Sequence, residues 1–588
     1  MYKSTLLAVI LAFSSTIFGQ KQANKEQLYF MYFKTWNFLK YYHPDLASGK
    51  RDADSLFFSN LSKLPAAEDQ EAVHKFFRTM VTDLSVPKSQ AGSIKPKDGL
   101  VSNIDFSWRE RPEFFDPGTI QKLSAVFENR YIGNNHYYLP EQSFNAELPH
   151  EKEYAFGKDE NIPLEYRLLA LAKIQGVVDY LYPHKYLMTP ANEFDFLLRS
   201  VIARMFRYDD RVSYELVLLK LSACLQDSHS YNFYRQMTAK KKIFNSSVYP
   251  PFAYKVFEDG ILVTQLIVPQ VCQQADIKEG DYITKINGRP VKRKIEELAK
   301  LLSTSNRATL LHHLSNYADN LVWGSESKDV SVEITRNSGN QMKKILFIAS
   351  GDSNLKLLNE YLTSLPSNKA EDGSLIVLNN EIAYFRIDNV FRLIEHVEDA
   401  RIDHQMDSIL DLAGNKKGII FDMRGYPDWG GFVPAYVVKH FGKDLVPYAK
   451  YFQANKQQIG TYTLKEALDT YYNPDLKPEG AAYKGKVVMI VNPATQSMSE
   501  WNTMCLQHVF PDAVTIGEQS AGADGDLKTM NLPGGYTFDF TGNAIFYPDG
   551  TEAQRKGVKI NIPVRLTKEN YSKDSDYLLQ RAIELIEK

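Results

Sequence analysis

A serine stands at a predicted strand-to-helix junction in the last third of the chain. The apolar run from Val487 to Val491 predicts a strand, Pro493 ends it, and a helical pattern resumes from Glu500 onward. In such a turn the hydroxyl of Ser497 is held out beside backbone N–H groups at a helix N-terminus, as a nucleophile and its oxyanion hole require. A helix cap with Ser497 as N-cap and Glu500 as its partner fits the same residues, so the motif alone leaves both interpretations open.

A glycine-rich turn follows a second predicted strand, which runs from Gly418 to Met423. The turn spans 422–431, and its glycines would let backbone N–H groups approach a substrate oxygen closely. Asp422 and Arg424 are predicted to form a structural ion pair that holds this turn. Because active sites of α/β sheets lie beyond the carboxyl ends of strands, this turn and Ser497 are the candidate parts of an active site.

The elements that must position these turns lie between about residue 375 and the end of the chain. Predicted strands at 382–387, 418–423, 487–491 and 513–517 alternate with helical stretches. Strands and helices in this order predict a layered α/β sheet.

Residues 245–350 have a different pattern. The run from Gly280 to Val291, Gly-Asp-Tyr-Ile-Thr-Lys-Ile-Asn-Gly-Arg-Pro-Val, resembles PDZ domains, which bind extended peptides as an added strand at a sheet edge. The resemblance implies that the predicted strand at Gly260, Ile261, Leu262 and Val263 binds substrate at such an edge. A spacer of the same fold that binds no peptide remains the alternative.

The N-terminal half carries a weak internal repeat. The segment from Trp36 to Pro44 recurs as Gln175 to Pro183, and each copy precedes a further amphipathic stretch. Each copy therefore predicts a helical hairpin whose first helix stops at proline, one within 21–84 and one within 161–244.

Two features near these repeats are interpreted as structural or connecting. His43 and His184 stand beside the prolines and lack the spacing of metal ligands, so we interpret them as structural. Residues 85–160 are rich in Pro, Gly and Asn, with a short alternating run at 136–139. They predict a linker or a small β-rich insert.

Composition limits the classes of protein. The chain has 588 residues and a mass of 67.2 kDa, which predicts about three or four domains. A formal charge of -2 gives no indication of a nucleic-acid partner. Residues 1–20 read as a signal peptide, which predicts an exported protein, periplasmic or extracellular, with no membrane span after signal removal. The few scattered cysteines argue against a disulfide framework or a zinc site, and no metal or organic cofactor is expected.

Together these motifs resemble the C-terminal processing, or tail-specific, serine peptidase family and its relative, the tricorn core protease. The turn at 422–431 is similar to the family's Asp-Leu-Arg-x-Asn-x-Gly-Gly turn, although it is longer and has Tyr426 in the asparagine slot. Ser497 to Glu500 matches the Ser-x-x-Glu nucleophile turn, and Gly517 to Gly522 matches the Gly-Glu-x-x-x-Gly strand end. The resemblance implies a crotonase-like layered α/β peptidase core at 351–588.

The departures from the family pattern select the catalytic base. Members with a Ser-Lys dyad carry lysine directly after Gly522, whereas this chain has Ala523, and Lys528 is displaced. The tricorn-like branch instead takes its base from a Ser-His pair upstream of the PDZ domain, which Ser228-His229 matches here. A neutral imidazole can accept a serine proton at neutral pH.

The remaining members of the site are also implied by the resemblance. The carboxylate that orients the Ser-His pair would come from the position of Gln554, or from Glu552 nearby. A glutamine can orient by hydrogen bonding but cannot offset imidazolium charge. Ser499 is a rival nucleophile, although its spacing to Glu500 fits less well than that of Ser497. The expected oxyanion donors are the backbone N–H of Met498 and that of Gly430 or Gly431.

The sequence therefore predicts an exported serine peptidase that cleaves peptides or protein tails. Ser497 would attack the scissile carbonyl, His229 would take and return the proton, Ser228 with Gln554 or Glu552 would fix the imidazole, and the PDZ domain would deliver peptide tails. The alternative is a catalytically silent peptide-binding protein on the same scaffold, which Gln554 favours.

Overall fold

The structure is a computed structural model that describes residues 24–84, 101–138, 147–158, 160–188, 193–336, 339–364, 374–443, 446–468, 483–571 and 576–588. The expected signal peptide at 1–20 and Leu139 of the alternating run lie outside these ranges. No helix within them is long and apolar enough to span a membrane.

The helices and strands follow the chain in this order. The α-helices are α1 (Lys25–Tyr42), α2 (Pro44–Ala47), α3 (Ala53–Leu61), α4 (Gln70–Thr82), α5 (Pro117–Glu128), α6 (Leu164–Gly176), α7 (Glu193–Arg207), α8 (Arg211–Leu225), α9 (Lys240–Phe244), α10 (Pro269–Gln274), α11 (Val291–Leu298), α12 (Arg307–Leu314), α13 (Leu355–Ser364), α14 (Ile402–Gly414), α15 (Val438–Phe441), α16 (Met498–Val509) and α17 (Tyr577–Glu587). The strands are β1 (Val101–Ser102), β2 (Phe252–Val256), β3 (Ile261–Leu266), β4 (Tyr282–Ile286), β5 (Arg289–Pro290), β6 (Asp329–Arg336), β7 (Gly339–Leu346), β8 (Ile376–Leu378), β9 (Ile382–Arg386), β10 (Gly418–Asp422), β11 (Ala449–Ala454), β12 (Thr461–Ala467), β13 (Lys486–Val491), β14 (Val514–Gly517), β15 (Leu527–Leu532), β16 (Tyr536–Thr541), β17 (Ala544–Phe546) and β18 (Ile562–Pro563).

The C-terminal part of the chain forms the α/β sheet that its pattern predicts. The strand order is β18-β14-β13-β10-β9-β8, and all neighbours are parallel except β8 and β9. Alternate residues of the strands face opposite sides: Phe421 packs in a cluster with α14 and α16, and Ile420 packs in a cluster with α17. Both faces are thus buried, which explains why these strands read as continuous apolar runs.

Parallel pairing brings the predicted turns to one edge of this sheet. Asp422 at the end of β10 is in register with Ile490 of β13, and Val491 is in register with Gly517 of β14. The segments that follow these residues therefore leave the sheet side by side.

The N-terminal helices confirm that each repeat stops at proline. Helix α1 ends at Tyr42, before His43 and Pro44, and α6 continues as a wide turn over 177–181 before Pro183. His43 Nδ1 accepts the Asp45 N–H at 3.2 Å, so this histidine caps α2.

The expectation of a β-rich insert at 85–160 is wrong for the described residues. They contain the helix α5 and only the short strand β1. Asp116 accepts the Thr119 N–H at 2.9 Å as the N-cap of α5, and Pro117 occupies its first turn. The proline that suggested a linker thus starts a helix. Residues 136–138 form no strand.

An antiparallel sheet in the order β2-β3-β4-β6-β7, with β5 on β4, forms the middle of the chain. Strand β3 pairs with β2 on one side and β4 on the other. The expectation that Gly260 to Val263 forms a sheet edge is therefore wrong, because Ile261 to Val263 lie inside the sheet. The edge next to them is β2, which the sequence pattern did not reveal.

The hairpin of β15 and β16 reaches back to the N-terminal helices. The Tyr214 hydroxyl donates to the Pro533 carbonyl at 2.9 Å, and the Tyr536 hydroxyl donates to Glu215 at 2.6 Å. Strand β16 also packs against the 3₁₀ segment 228–236 that follows α8. This packing places the end of β16 beside His229.

Candidate active site

The turn that carries Ser497 has an unusual backbone. Ser497 directly precedes Met498, the first residue of α16, and has φ 53° and ψ -120°. A positive φ at a serine costs free energy and persists only where the surrounding structure enforces it. The half-buried Ser497 therefore lies in a strained strand-to-helix turn, as the sequence predicts for a nucleophile.

Glu500 holds this turn from inside the protein. Its fully buried carboxylate accepts the backbone N–H of Ser497 at 3.3 Å. It also accepts hydrogen bonds from Ser520 Oγ at 2.6 Å, Gly522 N at 2.8 Å and Ala523 N at 3.0 Å. Glu500 thus joins the Ser497 turn to the segment that follows β14.

The glycines of that segment are required by close backbone contacts. A Cβ on Gly517 would lie 1.9 Å from the Val491 carbonyl oxygen, and Gly517 has φ +134°. A Cβ on Gly522, at φ +64°, would lie within 2.7 Å of the Arg555 backbone. Both glycines of the Gly-Glu-x-x-x-Gly motif therefore allow this segment to pack beside the Ser497 turn.

The Met423 carbonyl joins the glycine-rich turn to the Ser497 turn. It accepts Thr495 Oγ and Ser499 Oγ, each at 2.8 Å. Ser499 is fully buried, so its hydroxyl is committed to a structural bond. The geometry favours Ser497 over Ser499 as the nucleophile.

The glycine-rich turn is held by the ion pair that the sequence predicts. Arg424 donates through Nε and Nη2 to Asp422 at 2.8 and 2.7 Å, and it also contacts Asp576 before α17. Tyr384 donates to the same Asp422 carboxylate at 2.7 Å. Gly430 and Gly431, the candidate oxyanion donors of this turn, follow its anchored start and directly precede the helical turn at 432–437.

His229 lies in the segment after α8, next to the end of β16. Its Nδ1 is 2.7 Å from Thr541 Oγ and 3.6 Å from Asp227 Oδ1. Asp227 is fully buried and accepts the His229 N–H at 3.0 Å, the Thr541 N–H at 2.7 Å and Thr541 Oγ at 2.9 Å. His229 Nε2 is buried and has no hydrogen-bond partner among the described residues.

The charges around His229 favour proton uptake. Burial opposes the imidazolium, but the Asp227 carboxylate, with Glu500 and Asp539, outweighs it and raises the pKa of His229 above 6.5. Burial likewise opposes ionisation of Asp227, but its hydrogen bonds and the nearby imidazole lower the pKa of Asp227 to about 2. A histidine of raised pKa beside an ionised carboxylate is suited to general-base chemistry.

Ser228 connects the His229 segment to its surroundings. Its Oγ accepts the Ser305 N–H at 2.9 Å and donates to the Ala521 carbonyl at 3.5 Å. Ala521 belongs to the segment that Glu500 holds, and its N–H donates to the Thr495 carbonyl at 2.9 Å. The segments that carry His229 and Ser497 thus both pack against residues 520–523.

The two candidates for the fourth site residue have other surroundings. Glu552 lies 3.6 Å from His184 Nδ1 and accepts a hydrogen bond from the Tyr186 hydroxyl. Gln554 is buried, and neither polar atom of its side chain has a partner among the described residues. Thr541, which does contact the imidazole, carries no motif that the sequence could have revealed, and Asp227 was visible only as part of the Asp-Ser-His-Ser run.

Lys528, the displaced lysine, is buried on β15 with its Nζ 2.7 Å from Asp526 Oδ2. Within the described ranges, no cluster of His, Cys, Asp or Glu side chains could hold a metal ion.

A cleft of about 620 Å³ runs between the middle sheet and the C-terminal α/β sheet. One wall is 255–259, at the end of the edge strand β2, together with residues of α12. The other wall includes 517–519 after β14 and 563–569 after β18, and Pro493 of the Ser497 turn also contributes. The cleft therefore joins the edge strand to the turn that carries Ser497.

Comparison with known proteins identifies relatives of this sheet and its turns. Residues 381–564 match the family model described as Peptidase family S41. A probable CtpA-like serine protease of Staphylococcus aureus is 23% identical over 346 residues, which is 58% of this chain and 58% of that protein. The alignment thus spans less than two thirds of that relative's length.

One solved structure indicates a shared fold at low identity. A crystal structure of a CPAF mutant is 14% identical, with a TM-score of 0.50, and the match covers 72% of this chain and 98% of that one. The photosystem II D1 C-terminal processing protease is 15% identical, with a TM-score of 0.32, and the match covers 68% of this chain and 93% of that protease chain. The match to the Peptidase family S41 model covers residues 381–564, and this region contains the turns at Asp422, Ser497 and Gly517.

Proposed function

We propose that the protein is an exported serine endopeptidase that cleaves peptides or protein tails through Ser497 and His229. The observation that carries this proposal is the strained turn of Ser497, with φ 53°, at the start of α16 in the family S41 region. An ordinary N-cap residue has an extended backbone, so a capping role alone does not account for the positive φ of Ser497. Export rests on the signal-like sequence at 1–20.

The proposed chemistry assigns one role to each of these polar groups. Ser497 Oγ attacks the scissile carbonyl carbon while His229 Nε2 takes the hydroxyl proton. The N–H of Met498, with that of Gly430 or Gly431, donates to the carbonyl oxygen as it becomes negative. The imidazolium returns the proton to the leaving amine, and a water molecule activated by His229 then releases the acyl group from Ser497.

The contacts between segments support a functional Ser497–His229 pair. Glu500 binds Ser497 N–H and the backbone of Gly522 and Ala523, while Ser228, beside His229, reaches Ala521. Glu500 is also close enough to raise the pKa of His229. One buried carboxylate thus stabilises both the nucleophile turn and the positive charge that the imidazole acquires.

We also propose that the middle sheet is a PDZ domain and that the family S41 region has crotonase-like layering. Support for the PDZ assignment comes from the edge strand β2 beside α12 and from the cleft that extends to Pro493. A peptide tail in this cleft would lead toward Ser497. The substrate contacts then lie along β2 and 255–259, with Gly260 to Val263 supporting them from inside the sheet.

The second candidate, a silent peptide-binding protein, is favoured by Gln554 in the slot where the tricorn-like branch has a carboxylate. Peptide hydrolysis separates the two. The purified protein should cleave a labelled unstructured peptide, as followed by mass spectrometry, and Ser497→Ala should bind that peptide without cleaving it. Binding without cleavage by the wild-type protein would support the silent candidate instead.

A further inference from the structure

We propose that Thr541 and Asp227 are the positioning residues that hold His229 ready to accept the Ser497 proton, in place of the Gln554 or Glu552 that the family resemblance implies. This inference rests on the proposed peptidase function. Thr541 meets Asp227 and His229 because β16 packs on the segment that follows α8. More than half of the chain length separates these two segments in the sequence.

The hydrogen-bond directions fix the imidazole tautomer. Asp227 accepts at both oxygens, so the Thr541 hydroxyl at 2.9 Å must point its hydrogen at Asp227 Oδ1. The lone pairs of Thr541 Oγ are then left to face His229 Nδ1 at 2.7 Å, which makes Nδ1 the protonated ring nitrogen. Nε2 consequently carries the lone pair that a general base needs.

The same arrangement supplies the charge that Gln554 cannot. Asp227 Oδ1 is 3.6 Å from Nδ1, and the carboxylate is fully buried, so its attraction for the imidazolium is weakly screened. Glu500 and Asp539 are the other carboxyl groups that act on this imidazole. Asp227 forms the 3.6 Å ion pair with the imidazole, and backbone and hydroxyl donors fix its carboxylate there.

The surroundings of the alternative residues agree with this assignment. Glu552 is engaged by Tyr186 and lies beside His184, a fully buried histidine of the second helical repeat. Gln554 makes no hydrogen bond within the described residues. Among the contacts of the described residues, neither Glu552 nor Gln554 hydrogen-bonds His229 in place of the Thr541 hydroxyl.

The test compares variants of the full chain that change one group at a time. Thr541→Val removes the hydroxyl at nearly constant volume, and Thr541→Ser restores it. Thr537→Val is the matched control, because Thr537 lies on the same strand β16 and its hydroxyl donates to Gln236 Oε1 at 3.2 Å. Asp227→Asn removes the charge, and Gln554→Ala tests the alternative position.

The readout is the rate of Ser497 labelling by a fluorophosphonate as a function of pH, together with the ¹⁵N chemical shifts of the His229 ring. We expect Thr541→Val to slow labelling by about 10–100-fold and to shift the imidazole toward the Nε2–H tautomer. Thr541→Ser should retain most of the rate, and Thr537→Val should label like the wild type. Asp227→Asn should move the midpoint of the pH profile to lower pH, because it removes the carboxylate that does most to raise the pKa of His229.

The outcomes separate this inference from the proposed function. Absence of labelling in the wild type would sink the peptidase proposal itself. A wild type that labels, beside a folded Thr541→Val variant of equal rate and unchanged tautomer, would overturn the positioning role. A larger loss in Gln554→Ala than in Thr541→Val would return that role to Gln554. Circular dichroism shows whether each variant is folded. If the labelling rate of a folded variant falls, the tautomer of His229 shows whether the loss comes from the lost positioning contact or from a general structural change.

Discussion

The buried carboxylate of Glu500 accepts the backbone N–H of Ser497 at 3.3 Å, three residues before it in the chain. The same side chain binds Ser520, Gly522 and Ala523, so every partner that the structure gives it is a donor. Position 500 therefore requires a side chain that only accepts hydrogen bonds, such as an ionised carboxylate.

Replacing Glu500 by glutamine should damage both stability and activity. The amide NH₂ of Glu500→Gln would face N–H and O–H donors, which we expect to cost about 2–4 kcal/mol of unfolding free energy. Peptide turnover should fall as the Ser497 turn loosens. The same change at the exposed Glu360 of α13 is the control, with an expected effect within about 0.5 kcal/mol. A Glu500→Gln protein as stable and active as the wild type would contradict this role.

Substitutions at Ser497 separate a nucleophile from a cap. Ser497→Ala should abolish peptide hydrolysis and leave the unfolding free energy within about 1 kcal/mol, because only one hydroxyl is lost. Ser497→Gly should be equally inactive but at least as stable as the alanine variant, since glycine tolerates φ 53°. Denaturant titration and turnover measure both. An alanine variant that unfolds readily but keeps its specific activity would show that Ser497 is only a cap.

Ser499→Ala tests the rival nucleophile. Losing the 2.8 Å bond to the Met423 carbonyl should cost about 1 kcal/mol of stability and some turnover, since the glycine-rich turn loses one link to α16. Hydrolysis should persist. Complete loss of activity in a folded Ser499→Ala protein, beside an active Ser497→Ala protein, would reverse the assignment.

The pH dependence of turnover reports on the base. Because neutral His229 takes the proton, the rate should rise with pH through a midpoint above 6.5 and then level off. The raised pKa of His229 has the opposite effect on the free energy of unfolding. Protonated His229 stabilises the fold below pH 6.5, and this contribution is lost as pH rises through the pKa that His229 has in the folded protein. Turnover profiles and thermal unfolding across pH should therefore move in opposite directions.

Variants of the two candidate bases complete that measurement. His229→Ala should lose about as much activity as Ser497→Ala, since members of a catalytic unit fail together. Lys528→Ala should keep most activity per folded molecule. A dead, folded Lys528→Ala protein beside an active His229→Ala protein would overturn the histidine mechanism.

Peptide binding tests the middle sheet. On the Ser497→Ala background, which prevents turnover, a peptide with an apolar C-terminus and a free carboxylate should bind more tightly than its amidated form in calorimetric titration. The expected contacts lie along β2 and the cleft at 255–259. Equal affinity for both peptides would make this sheet a spacer.

Local patterns in the sequence were sufficient for the elements around Ser497. The apolar run before Pro493 predicts β13, and the glycines at 517 and 522 mark positions where a Cβ would collide with backbone. These features depend on residues close in sequence or on steric limits that only glycine meets.

Long-range pairing was not predictable in the same way. Thr541 reaches His229 from a hairpin near the other end of the chain, and β2 becomes the sheet edge only through its pairing with β3. Glu552 is drawn to His184 and Tyr186 of the N-terminal half. Such contacts are set by how distant elements pack, and no spacing in a single sequence records them.

The most direct test of the Ser497–His229 pair is to map the fluorophosphonate adduct by mass spectrometry. The wild-type protein should carry the adduct on Ser497, Ser497→Ala should carry none, and His229→Ala should label at least about 100-fold more slowly. An adduct on Ser499 or another serine, or a His229→Ala protein that labels as fast as the wild type, would contradict the account.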